Sequence, residues 1–444
     1  MFDGQVFRLL SVWGGGREST KSEVCAVLGI EDNGVSMKVL VSCYACSPYR
    51  GSEPGMGWNF VHCLAPMHEL HIITESKYKT DLDRYFSEHP DEEHLYHFYF
   101  IPRQRYDVLR KIWPPSYYWF YRLWQRKVLT FAKELDAKEH FDVVHALNMA
   151  GYREPGFFYK LNKPLVWGPV GGFQLSPWCL LPSMGWYGML YYGSRNLINL
   201  LQMRFKCTPR QMALDADAII AATQDNHDAI ERLWNKESLI IPEAGLTSNL
   251  SSVTLAKREG KLKLCWSGQH TPAKTLNILL EALAMTRNKQ NVELHVLGKG
   301  RSTHRWQKQA ESLHLDNVIW HGWVERIEAL KIMNQCHVFC ITSVTDLTST
   351  VLLEALSFGM PVITFDLFGF RNVVTDECGI KIPVQSKRQV VHDMAAAIDK
   401  LAEDESLRMR MAQTALNRAQ DFTWEGKARQ ISQLYTHAIN AHKQ

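Results

Sequence analysis

Residues 345–364, TDLTSTVLLEALSFGMPVIT, gather the side chains most able to do chemistry. Asp346 sits in a loop behind the β-prone run 338–341, and Thr348, Ser349 and Thr350 are helix N-cap types ahead of the apolar run 351–358. Gly359 stops that helix and Pro361 opens the next strand, 361–365. A helix starting in such a loop offers free N–H groups and about half a positive charge, which suits a diphosphate. Glu354 lies in the helix, so two carboxylates flank the same opening. Each accepts two hydroxyl hydrogen bonds at once, as a ribose diol or adjacent sugar hydroxyls require. An ordinary strand, cap and helix with two solvated acids would carry the same spacing.

Other constellations are sparser. In 264–284, LCWSGQHTPAKTLNILLEALA, a strand runs into a loop with Gly268, Gln269, His270 and Lys274 before a helix over 276–285. An ammonium there either is solvated or stabilises charge developing on a leaving group. In 43–58, CYACSPYRGSEPGMGW, Gly55 and Gly57 allow close backbone approach before a helix over 58–65. His145 ends the strand of FDVVHALN, and Glu154 and the GPVGG of 168–172 follow it. Cys43 and Cys46 form a C-x2-C without a companion pair or histidine at ligand spacing, so no metal is expected.

Elements alternate in a way that positions these loops. Near-continuous apolar strands are expected at 38–44, 69–74, 96–101, 142–145, 164–167 and 218–222, separated by helical or irregular stretches. A polar, turn-rich linker follows over 247–261, and the scheme restarts with strands at 262–267, 292–297, 318–321, 338–341 and 361–365. The fold class is therefore α/β, with two facing Rossmann-like domains whose cleft is lined by loops that follow strands. The boundaries are 1–36 as an extension, either disordered or the product of a start codon placed too early, then 37–245, 246–420, and a helix over 421–444. Charge-free 165–194 is broken by Pro169, Pro177 and Pro182 and reads as loop and buried strand rather than a membrane span. A dehydrogenase is disfavoured, because GSEPGMG has the wrong glycine spacing and SGQHTPAK holds one glycine. No G-x4-G-K-[ST] is present either.

Residues 345–364 are similar to the E-x7-E signature of retaining GT-B glycosyltransferases of family 4, of the kind that build bacterial cell-surface polysaccharides. Glu354 matches the second glutamate, Gly359, Pro361 and Val362 match the tail, and Asp346 replaces the first glutamate, with Leu347, Thr348 and Ser349 in place of Gly-Phe-Gly. The resemblance implies that Glu354 binds the donor's ribose diol and Asp346 holds the transferred sugar. Lys274 matches the phosphate-binding lysine, and Gln269 takes the arginine's place beside Gly268. Gly298, in LGKGRS, and Val324, after IWHGW, resemble the Gly-x-Gly strand end and the base-binding segment. Gly55 and Gly57 fall in the first glycine-rich loop, under the phosphates and near the acceptor, and His145 falls near the donor sugar. The last helix resembles one that crosses back onto the first domain. The implied reaction is transfer of a hexosyl group from a nucleotide-diphosphate sugar to a hydroxyl of a glycan or lipid-linked acceptor, with retention of configuration. No D-x-D motif ends a strand, so no metal cofactor is expected. The rival is a degenerate, non-catalytic nucleotide-sugar binder or scaffold.

Composition agrees with two cores. The chain has 444 residues, 46% of them hydrophobic, and a net charge of +4, which excludes general disorder and gives no global field for nucleic acid. Ten irregularly spaced cysteines fit reduced thiols and a cytoplasmic protein. Residues 103–133 carry eight Arg or Lys against one acid, Asp107, interleaved with nine aromatics. They read either as a helix pair with snorkelling basic side chains or as a patch that meets anionic lipid on the inner membrane surface.

Overall fold

The structure is a computed structural model that describes residues 36–103, 116–147, 149–247 and 260–443. The expectations for 1–35, for 104–115 of the basic patch and for most of the linker lie outside the described residues.

Two parallel sheets organise the chain. The first holds β1 (Lys38–Ser42), β2 (Glu69–Glu75), β3 (Tyr96–Ile101), β4 (Val143–Ala146), β5 (Leu165–Val170), β6 (Ala218–Ala221) and β7 (Leu239–Ile240), in the order β3-β2-β1-β4-β5-β6-β7. The second holds β8 (Leu262–Ser267), β9 (Val292–Leu297), β10 (Val318–Gly322), β11 (Val338–Ile341), β12 (Val362–Phe365) and β13 (Gly379–Ile382), in the order β10-β9-β8-β11-β12-β13. All strands pair in parallel, and the central ones, such as β1, β4, β11 and β12, are apolar on both faces and covered by helices on both. In each sheet the order reverses beside the first strand, between β1 and β4 and between β8 and β11. There the loops leaving neighbouring strands diverge and open a crevice.

Three local readings are corrected. The helix in the first glycine-rich stretch starts at Glu53 (Glu53–Leu64), not at 58, because Pro54 in its first turn is pre-organised for helix. Gly55 and Gly57 are therefore helical. The stretch 165–194 is not loop and strand throughout, since Gly185–Phe205 is a long helix whose three glycines weaken the sequence signal. Strands β7 and β13 were missed: β7 is two residues long, and β13 (GIKI) has no continuous apolar run.

The last helix, Trp424–His442, buries Trp424, Ala428, Ile431, Tyr435 and Ala438 in the same core as Val39, Val41 and Phe60 of the first domain. The chain crosses between the domains twice, side by side. Leu246 N–H donates to the Phe422 carbonyl at 2.9 Å, and Trp424 N–H donates to the Leu246 carbonyl at 2.8 Å. Among the described residues no helix is long and apolar enough to cross a membrane.

Candidate functional site

The carboxyl ends of the two sheets border one cleft of about 1250 Å³, larger than the ~300–1,000 Å³ of an ordinary small-molecule pocket. Its second-domain wall is built at the β8/β11 switch point. Strand β11 is wholly buried and releases the chain into the loop of Asp346, which ends in helix Thr350–Ser357 with Ser349 at the N-cap position. The Ser349 side chain makes no capping bond. The Leu352 and Leu353 N–H groups turn back to its carbonyl at 3.0 and 3.3 Å, and the first amides of the helix have no intrahelical partner. This loop is clamped from behind. Gly369 N–H donates to the Leu347 carbonyl at 3.1 Å, and a Cβ on Gly369 would come within 2.4 Å of Thr348 Oγ1.

Lys274 reaches the cleft from the loop after β8 and forms an ion pair with Asp346. Both side chains are about one-quarter exposed. The backbone under Lys274 is tied to the end of β11, where Thr342 Oγ1 donates to the Lys274 carbonyl at 2.6 Å and Val344 N–H donates to the Ala273 carbonyl at 3.0 Å. Trp266 Nε1–H donates to the same Thr342 hydroxyl at 3.0 Å, so a buried indole fixes it. The ammonium and the carboxylate therefore meet because β8 and β11 are neighbours, although 72 residues separate them.

Glu354 lies on the first helix turns and accepts from Arg326 Nη2 at 2.6 Å. Burial pushes its carboxyl above the ordinary value, and Arg326 opposes that shift. Arg326 opens helix Arg326–Asn334, is largely exposed and lines the cleft. It was not anticipated, and its signal, an arginine at a helix start just after the singled-out IWHGWV, is weak alone.

Glu243 was also missed. It arrives on the crossing from β7, lines the cleft, and accepts the Thr348 N–H on Oε1 at 2.7 Å. Desolvation raises its carboxyl above the ordinary range, with the Thr348 amide and Lys427 pulling the other way. Lys427, on the last helix, donates to the Pro242 carbonyl at 2.8 Å and to the Ala244 carbonyl, and burial lowers its ammonium below the ordinary value. The amide of Thr348 is thus already occupied, and Ser349 and Thr350 follow it on the cleft wall.

The remaining sequence candidates fall elsewhere. His145 does not line the described cleft. It is fully buried, with Nε2 at 2.9 Å from the Gly168 carbonyl and Nδ1 at 2.7 Å from the Tyr435 hydroxyl. A carbonyl only accepts, so Nε2 carries the proton and Tyr435 donates to Nδ1. Burial lowers this imidazole to about 4. Gly55 borders the cleft, whereas a Cβ on Gly57 would lie 2.1 Å from the Ala45 carbonyl oxygen, so Gly57 serves helix-to-strand packing. Gly268 and Gly298 touch each other behind the cleft, a Cβ on Gly298 falling 2.0 Å from the Gly268 oxygen at φ +110°. Gln269 is exposed and Val324 packs on a core cluster, both outside the lining. Glu154 pairs with Lys206 at 2.5 Å on the first-domain wall, near Arg153 and Arg195. Away from the cleft, Glu69, His71 and His97 bring ligand-type atoms within 4.8 Å of one another. Lys38 Nζ holds that carboxylate at 3.1 Å, so the group reads as an ion-pair cluster.

Comparison with known proteins agrees with this architecture. Residues 249–418 match the family described as Glycosyl transferases group 1. Over 217 residues the chain is 28% identical to the phosphatidyl-myo-inositol mannosyltransferase of Mycolicibacterium smegmatis, a match covering 46% of this chain and 55% of that protein. It thus spans about half the length of the curated relatives it matches. Sucrose-phosphate synthase from Thermosynechococcus elongatus superposes with a TM-score of 0.61 at 16% identity, over 91% of this chain and all of that one. Anabaena Alr3699/HepE, solved with UDP, superposes with a TM-score of 0.58 at 17% identity, over 90% of this chain and 100% of that one. With two facing parallel sheets, a shared cleft and likeness along nearly its whole described length, this chain has the GT-B fold.

Proposed function

We propose that the chain is a retaining glycosyltransferase that moves a hexosyl group from a nucleotide-diphosphate sugar to a hydroxyl of a glycan or lipid-linked acceptor in cell-surface glycan synthesis. The observation that carries this reading is the convergence of Lys274, Asp346, Glu354 and the start of helix Thr350–Ser357 on one cleft between two sheets. Support also comes from the relative that acts as a phosphatidyl-myo-inositol mannosyltransferase and from the UDP bound by the HepE neighbour.

In this reading the second domain holds the donor. Glu354, steadied by Arg326, takes the ribose diol. The diphosphate rests on the Ser349 and Thr350 amides, and Lys274 turns from Asp346 toward the phosphate as charge builds there. Asp346, so released, accepts from the sugar hydroxyls. The bond from the anomeric carbon to the diphosphate breaks, the acceptor oxygen bonds to that carbon on the same face, and the acceptor's proton passes to the departing phosphate. Leaving-group charge is met by Lys274 and the helix start, with no metal cofactor required. The enzyme works at the cytoplasmic face of the membrane.

The test is a panel of UDP-, GDP-, ADP- and dTDP-sugars, read by ligand-observed NMR and by slow donor hydrolysis with and without EDTA. We expect one nucleotide class to bind and hydrolyse in both conditions. Binding without hydrolysis or transfer would favour the non-catalytic binder, which the exposed Gln269 in place of a phosphate-binding arginine makes concrete. Absence of all nucleotide binding would sink both.

A further inference from the structure

Helix Gly185–Phe205 is inverted. Its inward face is polar: Asn196 and Asn199 are 2% exposed and bond to the protein. Asn196 exchanges hydrogen bonds with the Ser176 backbone at 2.8 and 3.0 Å. Asn199 donates to the Gly172 carbonyl at 3.1 Å and accepts from Tyr152 at 2.9 Å, and Gln202 accepts from Arg153 at 2.6 Å. Its outward face is apolar, with Trp186 at 75%, Leu190 at 61%, Leu197 at 57%, Leu201 at 59% and Phe205 at 72% exposure. At helical spacing these form one continuous stripe about 30 Å long. A helix on a water-facing surface normally carries the opposite arrangement, and an apolar patch this large marks an interaction site.

Charge identifies the occupant. From 155 to 214 the chain contains no Asp or Glu; Lys163 and Lys206 pair with Asp136 and Glu154 from outside that stretch, and Lys160, Arg195, Arg204 and Arg210 supply four further positive charges. Arg122 of the neighbouring helix Ser116–Glu139 reaches Thr208 at 3.5 Å and adds to that field. An apolar stripe with Trp and Tyr, set in a stretch with a net excess of cations, fits the interface of an anionic bilayer, in which it would lie rather than span.

We infer that helix Gly185–Phe205 docks the protein in the plane of a membrane containing anionic phospholipid. Its inner edge borders the cleft through Arg195, and it is bonded to the loop after β5 that carries Gly172 and Gln174 on the cleft wall. A bilayer on the outer face therefore brings lipid headgroups to the first-domain side of the cleft. This deepens the acceptor side of the proposed function by making the acceptor lipid-linked, and it rests on that reading only for this last step.

Vesicle sedimentation of the full chain, without donor or acceptor, tests it. Binding is expected to vesicles of phosphatidylcholine with phosphatidylglycerol, to weaken with added salt, and to be much poorer with phosphatidylcholine alone. The triple variant L190E/L197E/L201E should lose roughly tenfold or more of that partitioning. Its substitutions are at exposed positions, so its circular dichroism and nucleotide binding should be unchanged. Three results would overturn the inference: equal binding by this variant, loss of binding only when Trp119, an exposed residue of helix Ser116–Glu139, is changed in W119E, or a concentration-dependent dimer that the triple variant abolishes while vesicles do not bind. Because no sugar transfer is measured, failure here leaves the donor-panel result standing, and failure there leaves this one.

Discussion

Asp346 and Glu354 share a signature but are held by different partners, and that difference predicts different losses. Glu354 is buried and bound by a largely exposed arginine at 2.6 Å, an arrangement suited to a permanent ligand contact. Asp346 is bound to Lys274, the cation that serves the leaving group in the proposed reaction, so that reading requires its role to change along the reaction. Glu354→Ala should weaken nucleotide binding about 10–100-fold, whereas Asp346→Ala should lower kcat about 10²–10³-fold with a smaller effect on binding. Calorimetry and steady-state kinetics would read both, and the reverse order would exchange their roles. At this scale the sequence was informative about which residues reach the cleft where they sit in a loop after a strand, as Lys274 and Asp346 do. It was silent on Arg326 and Glu243, because these reach the cleft from a helix start and an interdomain crossing that carry no motif of their own.

At the scale of elements, glycines show what local patterns hide. Gly55 and Gly57 suggested a loop under a ligand, but the residues form the first turns of helix Glu53–Leu64. Gly57 lets that helix lie against the end of β1, because any Cβ would meet the Ala45 oxygen at 2.1 Å and Cys43 Sγ at 2.6 Å. Replacing a glycine inside a helix by alanine ordinarily stabilises by about 1 kcal/mol. Gly57→Ala should instead destabilise by about 2–4 kcal/mol, since backbone must move to relieve the overlap. Urea denaturation decides the sign, and a gain in stability would show that the strand end yields freely. Gly298 acts in the same way between β8 and β9, where a Cβ would fall 2.0 Å from the Gly268 oxygen, whereas a Cβ on Gly268 itself would meet only ordinary contacts at 3.7 Å and beyond.

At the scale of the whole molecule, the last helix joins the halves. His145, expected beside the donor, instead bonds Tyr435 of that helix and the Gly168 carbonyl of β5. Its folded value of about 4 lies below the ordinary ~6.5, so the unfolded chain binds a proton that the folded chain refuses. Stability from this group is therefore complete above pH 6.5 and is lost as the pH falls toward 4. Between pH 7 and pH 5 the loss is about 2 kcal/mol. Chemical denaturation of His145→Asn at the two pH values should show a pH-dependent loss smaller by that amount, and an unchanged loss would mean that the His145 bonds to Tyr435 and Gly168 do not hold it neutral. The sequence by itself determined the strand runs, the doubled α/β pattern and the signature loop, because apolar periodicity and capping are local properties. Only the tertiary structure decided which of those residues share a cleft. Strand order, not chain position, brings Lys274 to Asp346, turns His145 into the core, and leaves the apolar face of Gly185–Phe205 outward, since its polar face is consumed by bonds to the loop after β5.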